Sequence, residues 1–245
     1  MLSRIALLGC VLAAACGGNA RNDDSTPADS TTRADSAAVA APQLPPGDSG
    51  ARKLLPVDQA DSSFAAFRTT LLAALQRRDT TFLYSILAPE IKNSFGGDDS
   101  IAGFKRIWRL EQPDSSLVWG SLTRVLNMGG QLQGETFIAP YVFSAWPNDV
   151  DAFEHIAITG TNVPAYAGPA NAEQVASLSH SILRLEEWPD LDNGVPAPGS
   201  FARVKLPTGR SVWVSTAQLY SPIGWRAFFE KRNGRWIMTL FVAGD

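Results

Sequence analysis

The chain has 245 residues, 45% of them hydrophobic, which is enough for one large domain or two small ones with a real core. Its 21 Lys and Arg against 24 Asp and Glu give a net charge of −3, with no basic stripe, and this excludes a general nucleic-acid binder. Both cysteines, Cys10 and Cys16, precede the globular region, which excludes a disulfide framework or thiolate metal cluster there, and the two histidines, His155 and His180, limit His-based catalysis and metal binding.

Arg4 supplies a positive start, and "IALLGCVLAAA" continues with apolar and small residues. A membrane span needs roughly 20 such residues, so this run is too short to cross a bilayer and remain there. It has the form of a secretory signal. An ordinary buried N-terminal helix is the competing reading, but the polar, Gly- and Pro-containing stretch after Cys16 cannot continue one. The ending "LAAAC" resembles the lipobox of bacterial lipoproteins. In that family the signal is cut before the cysteine, whose thiol and new amino terminus are acylated. The resemblance implies a signal peptide over 1–15, lipidation of Cys16, and a membrane as partner through the acyl chains. Ala13 stands where the family prefers Leu. "LLGC", ending at Cys10, offers a second lipobox with a very short signal. Gly17, rather than Asp, comes after Cys16; in the family this implies outer-membrane sorting, facing the periplasm.

Residues 16–57 are mostly Gly, Ser, Thr, Asp, Ala and Pro. Such a stretch buries too little apolar surface to offset its ordering entropy, so a disordered tether is expected. A flexible coil of about 40 residues has a root-mean-square reach on the order of 35 Å.

A helical region is expected over 58–134. "DSSFAAFRTTLLAALQRRD" sets Phe64, Phe67, Leu71 and Leu75 at helical spacing, with Ser62 or Ser63 as cap. Asp79 reads as the cap of a short helix carrying Phe82, Leu83, Ile86 and Leu87, with Pro89 close behind. Ser100 caps a third, with Ile101, Phe104 and Trp108 on one face. A fourth carries Val118, Leu122, Val125 and Leu126, and Gly129 and Gly130 suit its end.

After Gly134 the pattern turns β-like. "TFIAPYVFSAWP", "AFEHIAITG", "ILRLEEW" and "FARVKLPTGRSVWVSTAQLY" read as short strands separated by turns. Asn162-Val163, Pro169, the strand through Leu185 and Gly209-Arg210-Ser211-Val212-Trp213-Val214 resemble the bacterial SH3-like domain, over about Phe153 to Tyr220. Pro164 stands where that family usually has Arg, and Val212 where it has Gly. The resemblance implies a small β-barrel over 135–222. Many members of the family recognise cell-wall peptides or other envelope components, which implies peptidoglycan or an envelope protein as partner. Asn233-Gly234 between two apolar runs signals a further hairpin over 223–245. The expected fold is α+β: a small helical layer, an SH3-like barrel and an extra C-terminal hairpin. The hairpin either pads the barrel or joins the helices in one α+β roll, similar to nuclear transport factor 2-like folds, with the barrel inserted.

Tyr166, Trp188, Trp213 and Tyr220 are the candidate ligand-binding residues, because aromatic anchors dominate binding energy. Core packing competes for Trp188 and Trp213, and Tyr166, read in a loop, is expected to be the most exposed. For catalysis, "NDVDAFEH" gathers Asp149, Asp151 and Glu154 near His155, but neighbouring residues of a strand face opposite ways. Neither a Gly-x-Ser-x-Gly elbow nor a His-Glu-x-x-His motif occurs. Asp98 and Asp99 precede a helix, where acids face the positive end of its dipole. The expectation is therefore an envelope binding module without catalysis, cofactor, metal or nucleic acid. An envelope scaffold with a protein partner and a cell-wall hydrolase are the alternatives.

Overall fold

The computed structural model describes residues 44–170, 172–192 and 195–244. The expected signal peptide, Cys10, Cys16 and the tether through residue 43 lie outside the described residues.

The last part of the tether expected over 16–57 is instead an ordered strap. Gly47 N donates to Ser177 O at 2.9 Å, and Leu54 N to His180 O at 2.8 Å. Asp48, only 3% exposed, accepts from Lys53 Nζ at 2.7 Å and from Ser179 N at 2.8 Å. Composition misses this because the strap forms no core of its own; it uses backbone groups that a sheet edge offers. Gly47 lies so close to the sheet that a Cβ there would sit 2.6 Å from the Ala176 Cβ.

The strap leads into β1 (Asp58–Gln59) and α1 (Ser62–Gln76). Asp61, not Ser62 or Ser63, caps α1 by accepting from Phe64 N at 2.6 Å. Ser63 donates to that carboxylate instead, at 2.8 Å. Asp79 caps α2 (Thr80–Ser85). The helix stops sooner than its apolar residues imply, and Leu87 opens β2 (Leu87–Lys92), consistent with Pro89 disfavouring helix in the residue before it. Ser100 caps α3 (Ile101–Ile107) at Gly103 N, 2.9 Å. The stripe on α4 (Val118–Asn127) is buried at all four expected positions. Next come β3 (Gly130–Gln133), β4 (Thr136–Ala139) and α5 (Tyr141–Ser144). A Cβ on Gly130 would fall 2.2 Å from the Ile138 carbonyl oxygen, so β3 and β4 approach this closely only with glycine there.

The chain then builds β5 (His155–Ile158), β6 (Val163–Tyr166), β7 (Gln174–Leu178) and β8 (Ile182–Glu187). A two-stranded ribbon comes next, β9 (Leu191–Asp192) with β10 (Val195–Pro196). After it come β11 (Phe201–Lys205), β12 (Ser211–Ser215) and β13 (Leu219–Tyr220). The final hairpin is β14 (Arg226–Arg232) and β15 (Arg235–Val242), turning at Asn233 and Gly234, both at positive φ.

Two larger sheets result. One has the order β1-β3-β4-β14-β15-β2, the other β13-β5-β8-β11-β12-β6-β7. The protein is thus α+β, but the seven-stranded sheet expected as a barrel is not closed by strand pairing among the described residues. The strap bridges to Ser177 on its outermost strand, β7, and to Ser181 just before β8. The expected boundaries shift as well. Thr136–Ala139 and Tyr141–Ser144 belong with the helices rather than with residues 135–222, because Gly134 makes the turn that pairs β3 with β4. The final hairpin joins the helical part: β14 pairs with β4 and β15 with β2. Phe64 of α1 stacks on Phe137 at 3.8 Å and lies 5.0 Å from Trp236. These rings share one apolar cluster with Phe104, Leu122 and Phe229, while Ile156, Val204, Val212 and Val214 form a second inside the seven-stranded sheet.

Candidate functional site

Strand alternation decides where the first two aromatic candidates point. On β12, Val212 and Val214 are fully buried, so Trp213 between them turns to the other face. On β6, Val163 and Ala165 go inward and Tyr166 outward; on β11, Ala202 and Val204 go inward, Phe201 and Arg203 outward. Tyr166 and Trp213 are direct cross-strand partners. Tyr166 meets Phe201 edge-on, with ring centroids 5.8 Å apart, and the Arg203 guanidinium lies 5.8 Å from the Trp213 ring centre. Glu186 and Glu187 hold Arg203 at 3.4 and 3.3 Å. The result is a half-buried aromatic row beside a strip of mixed charge. Tyr166 ends a strand rather than sitting in a loop, and it is half-buried like Trp213.

Trp188 and Tyr220 lie elsewhere, on a cavity of about 390 Å³ that also touches Arg124, Phe153, His155 and Trp225. Tyr220 is a wall rather than an open anchor: it is 7% exposed and donates to the Trp225 carbonyl at 2.5 Å. Burial pushes its phenol well above the ordinary range, against the pull of Arg124 and Arg226. The Arg124 guanidinium lies 5.2 Å from the Tyr220 ring centre, and its Nη2 donates to the carbonyls of Leu219 at 2.7 Å and Thr216 at 3.3 Å. Arg124 thereby ties α4 to β13.

Trp225 is the residue that sequence reasoning missed. It lies just before β14, 4.5 Å from Trp108 and 5.2 Å from Phe241. It also lines a second cavity of about 320 Å³, with Ile107, Trp108, Arg109 and Leu117. The only local signal was the turn "SPIG" before it.

The carboxylates near His155 are engaged elsewhere. Asp149 pairs with Arg52 at 2.6 Å, and that hydrogen-bonded guanidinium holds its carboxyl below the usual range. Asp151 Oδ1 accepts from Phe153 N at 2.8 Å, and Glu154 lies 3.5 Å from Arg184. His155 Nδ1 lies 3.0 Å from the Asp151 carbonyl oxygen, not from a carboxylate. Asp98 pairs with Arg106, and Asp99 with Lys92 at 3.6 Å while accepting from Asn93 N. Both therefore pin the loop before α3. Among the described residues no group of three or more His, Cys, Asp or Glu is arranged to hold a metal ion, and no helix is long and apolar enough to cross a membrane.

No family model matches this sequence, and no curated protein and no solved structure matches it.

Proposed function

We propose that this protein is an exported, lipid-anchored binding module of the bacterial cell envelope that recognises peptidoglycan and performs no catalysis. The signal-like run ending at Cys16 supports the export, and acyl chains on Cys16 would hold the module to a membrane, with Gly17 directing it to the outer one. On this reading the seven-stranded sheet is an SH3-like domain. Its support is the segment Gly209 to Val214, which resembles the family's closing motif apart from Val212 and supplies most of β12.

One observation carries the binding reading: Tyr166, Phe201 and Trp213 share a face that is not needed to fill either core. Rigid aromatic rings on a strand scaffold lose little side-chain entropy on binding, and they offer flat apolar surface beside the charges of Arg203 and Glu187. The test is co-sedimentation of the folded protein with purified cell walls. Wild type is expected in the pellet, and Trp213→Ala with Tyr166→Ala is expected to weaken pelleting at least about tenfold, the loss of one or two anchors. Wild-type protein that stays folded in the supernatant rules the reading out.

A further inference from the structure

The two cavities that flank Trp225 have features the wall-binding face lacks. Helix α4 runs past both. Leu117, at its N-terminal cap, lines one cavity, and Ser121 and Arg124 line the other. Their spacing of four and three residues puts them on one helix face, over about 10 Å. Trp225 lines both cavities, so they adjoin at its side chain. The walls are mostly apolar, with Ile156, Leu185, Trp188 and Ile223 on one side and Ile107 and Trp108 on the other. Each volume falls in the range of small-molecule sites, about 300–1,000 Å³.

Two further observations narrow the occupant. Six large hydrophobic residues are exposed among the described residues, and three of them, Ile107 at 39%, Leu117 at 42% and Phe153 at 61%, line these cavities. Ile107 and Leu117 line one cavity and Phe153 the other, so each cavity is flanked by apolar side chains left open to solvent. The charges are one-sided: Arg109 and Arg124 line the cavities, and no Asp or Glu does among the described residues. Arg124 directs Nη2 at backbone carbonyls, and its Nη1 and Nε carry no hydrogen bond among the described residues.

We propose that the paired cavities around Trp225 bind a single-chain fatty acid, its acyl chain along α4 and its carboxylate toward Arg124. The apolar walls remove the chain from water, and the cation favours an anionic head over a neutral one. The source of such a ligand rests on the envelope reading, since a module held to a membrane by Cys16 stays close to acyl chains. The binding itself does not rest on it.

The fragment 42–245 is suited to the test, because these residues form one compact unit and both apolar clusters lie within it. It is titrated with a fatty acid brominated at mid-chain, below the micelle concentration, while tryptophan fluorescence is read. Bromine quenches only nearby rings, and Trp108, Trp188 and Trp225 all line the cavities. Saturable quenching at one fatty acid per protein is expected, and a brominated fatty alcohol is expected to bind at least fivefold more weakly. Ser121→Phe, which fills the cavity, should weaken binding at least tenfold with an unchanged melting temperature. If that variant does not fold, Phe153→Asp puts an acid at the mouth and should weaken the fatty acid by a similar factor. Quenching that never saturates, or equal affinity in the folded variants, overturns the site; equal affinity for the alcohol overturns the carboxylate assignment. Wall pelleting is read by Tyr166 and Trp213, which line neither cavity, so either proposal fails without the other.

Discussion

Asp48 shows how a single residue changes the character of a segment. Burial opposes its charge, but the hydrogen bond from Lys53 and that from Ser179 N outweigh burial, so its carboxyl is held below the usual carboxylate range. A carboxyl whose folded-state pKa is depressed contributes stability that is present above its unfolded pKa and lost as pH falls through the folded one. Asp48→Asn should therefore lower stability at pH 7 by about 1–3 kcal/mol, the cost of a weakened buried charge-assisted bond. The gap between variant and wild type should close as pH falls below about 4. Thermal unfolding across about pH 2–7 checks this; a gap that stays constant over that range contradicts the role given to Asp48. Nothing in the sequence singles this residue out, because Asp in a Gly- and Pro-rich stretch ordinarily marks solvated chain. The caps were more legible. Asp79 and Ser100 sit where their short-range geometry implies, while at α1 two kinds of good cap compete and the carboxylate one step earlier takes the position.

At the level of elements, local pattern was readable and partnership was not. The apolar stripe of α4 and the Asn233-Gly234 turn arise from spacings of a few residues. The partner of the resulting hairpin does not: β14 pairs with β4, whose last residue is Ala139, 87 positions before Arg226. Periodicity states that a strand has an apolar face but not which sheet receives it. The packing specifies that face. Phe229 is fully buried, 5.4 Å from Phe64 and 5.8 Å from Phe67. Phe229→Ala should cost about 3–5 kcal/mol, as deletion of a buried aromatic ring usually does. Denaturant titration followed by far-UV circular dichroism measures it, and a loss below about 1 kcal/mol would mean that the hairpin does not seat on α1.

For the whole molecule, the chain between α5 and β14 builds a second sheet inside a fold whose two ends are joined by β4 and β14. This insertion explains how the candidate aromatics came to be divided. Trp213 was legible as a strand residue, whereas Tyr166 read as a loop residue; in the structure the two are cross-strand partners on the outer face of one sheet. Trp188 and Tyr220 meet Trp225 only where that sheet returns to the helices, a juxtaposition that no local spacing encodes. Arg124 is the clearest link across this join, through the Leu219 carbonyl at the start of β13.

We propose that this two-sheet unit works outside the cytosol, held by lipid at Cys16, and the intact mass of the protein isolated from bacterial cells that produce it tests this most directly. The expected result is a membrane-bound species that lacks residues 1–15 and carries acyl chains on an N-terminal Cys16. A cytosolic polypeptide of full length without acyl chains would contradict it.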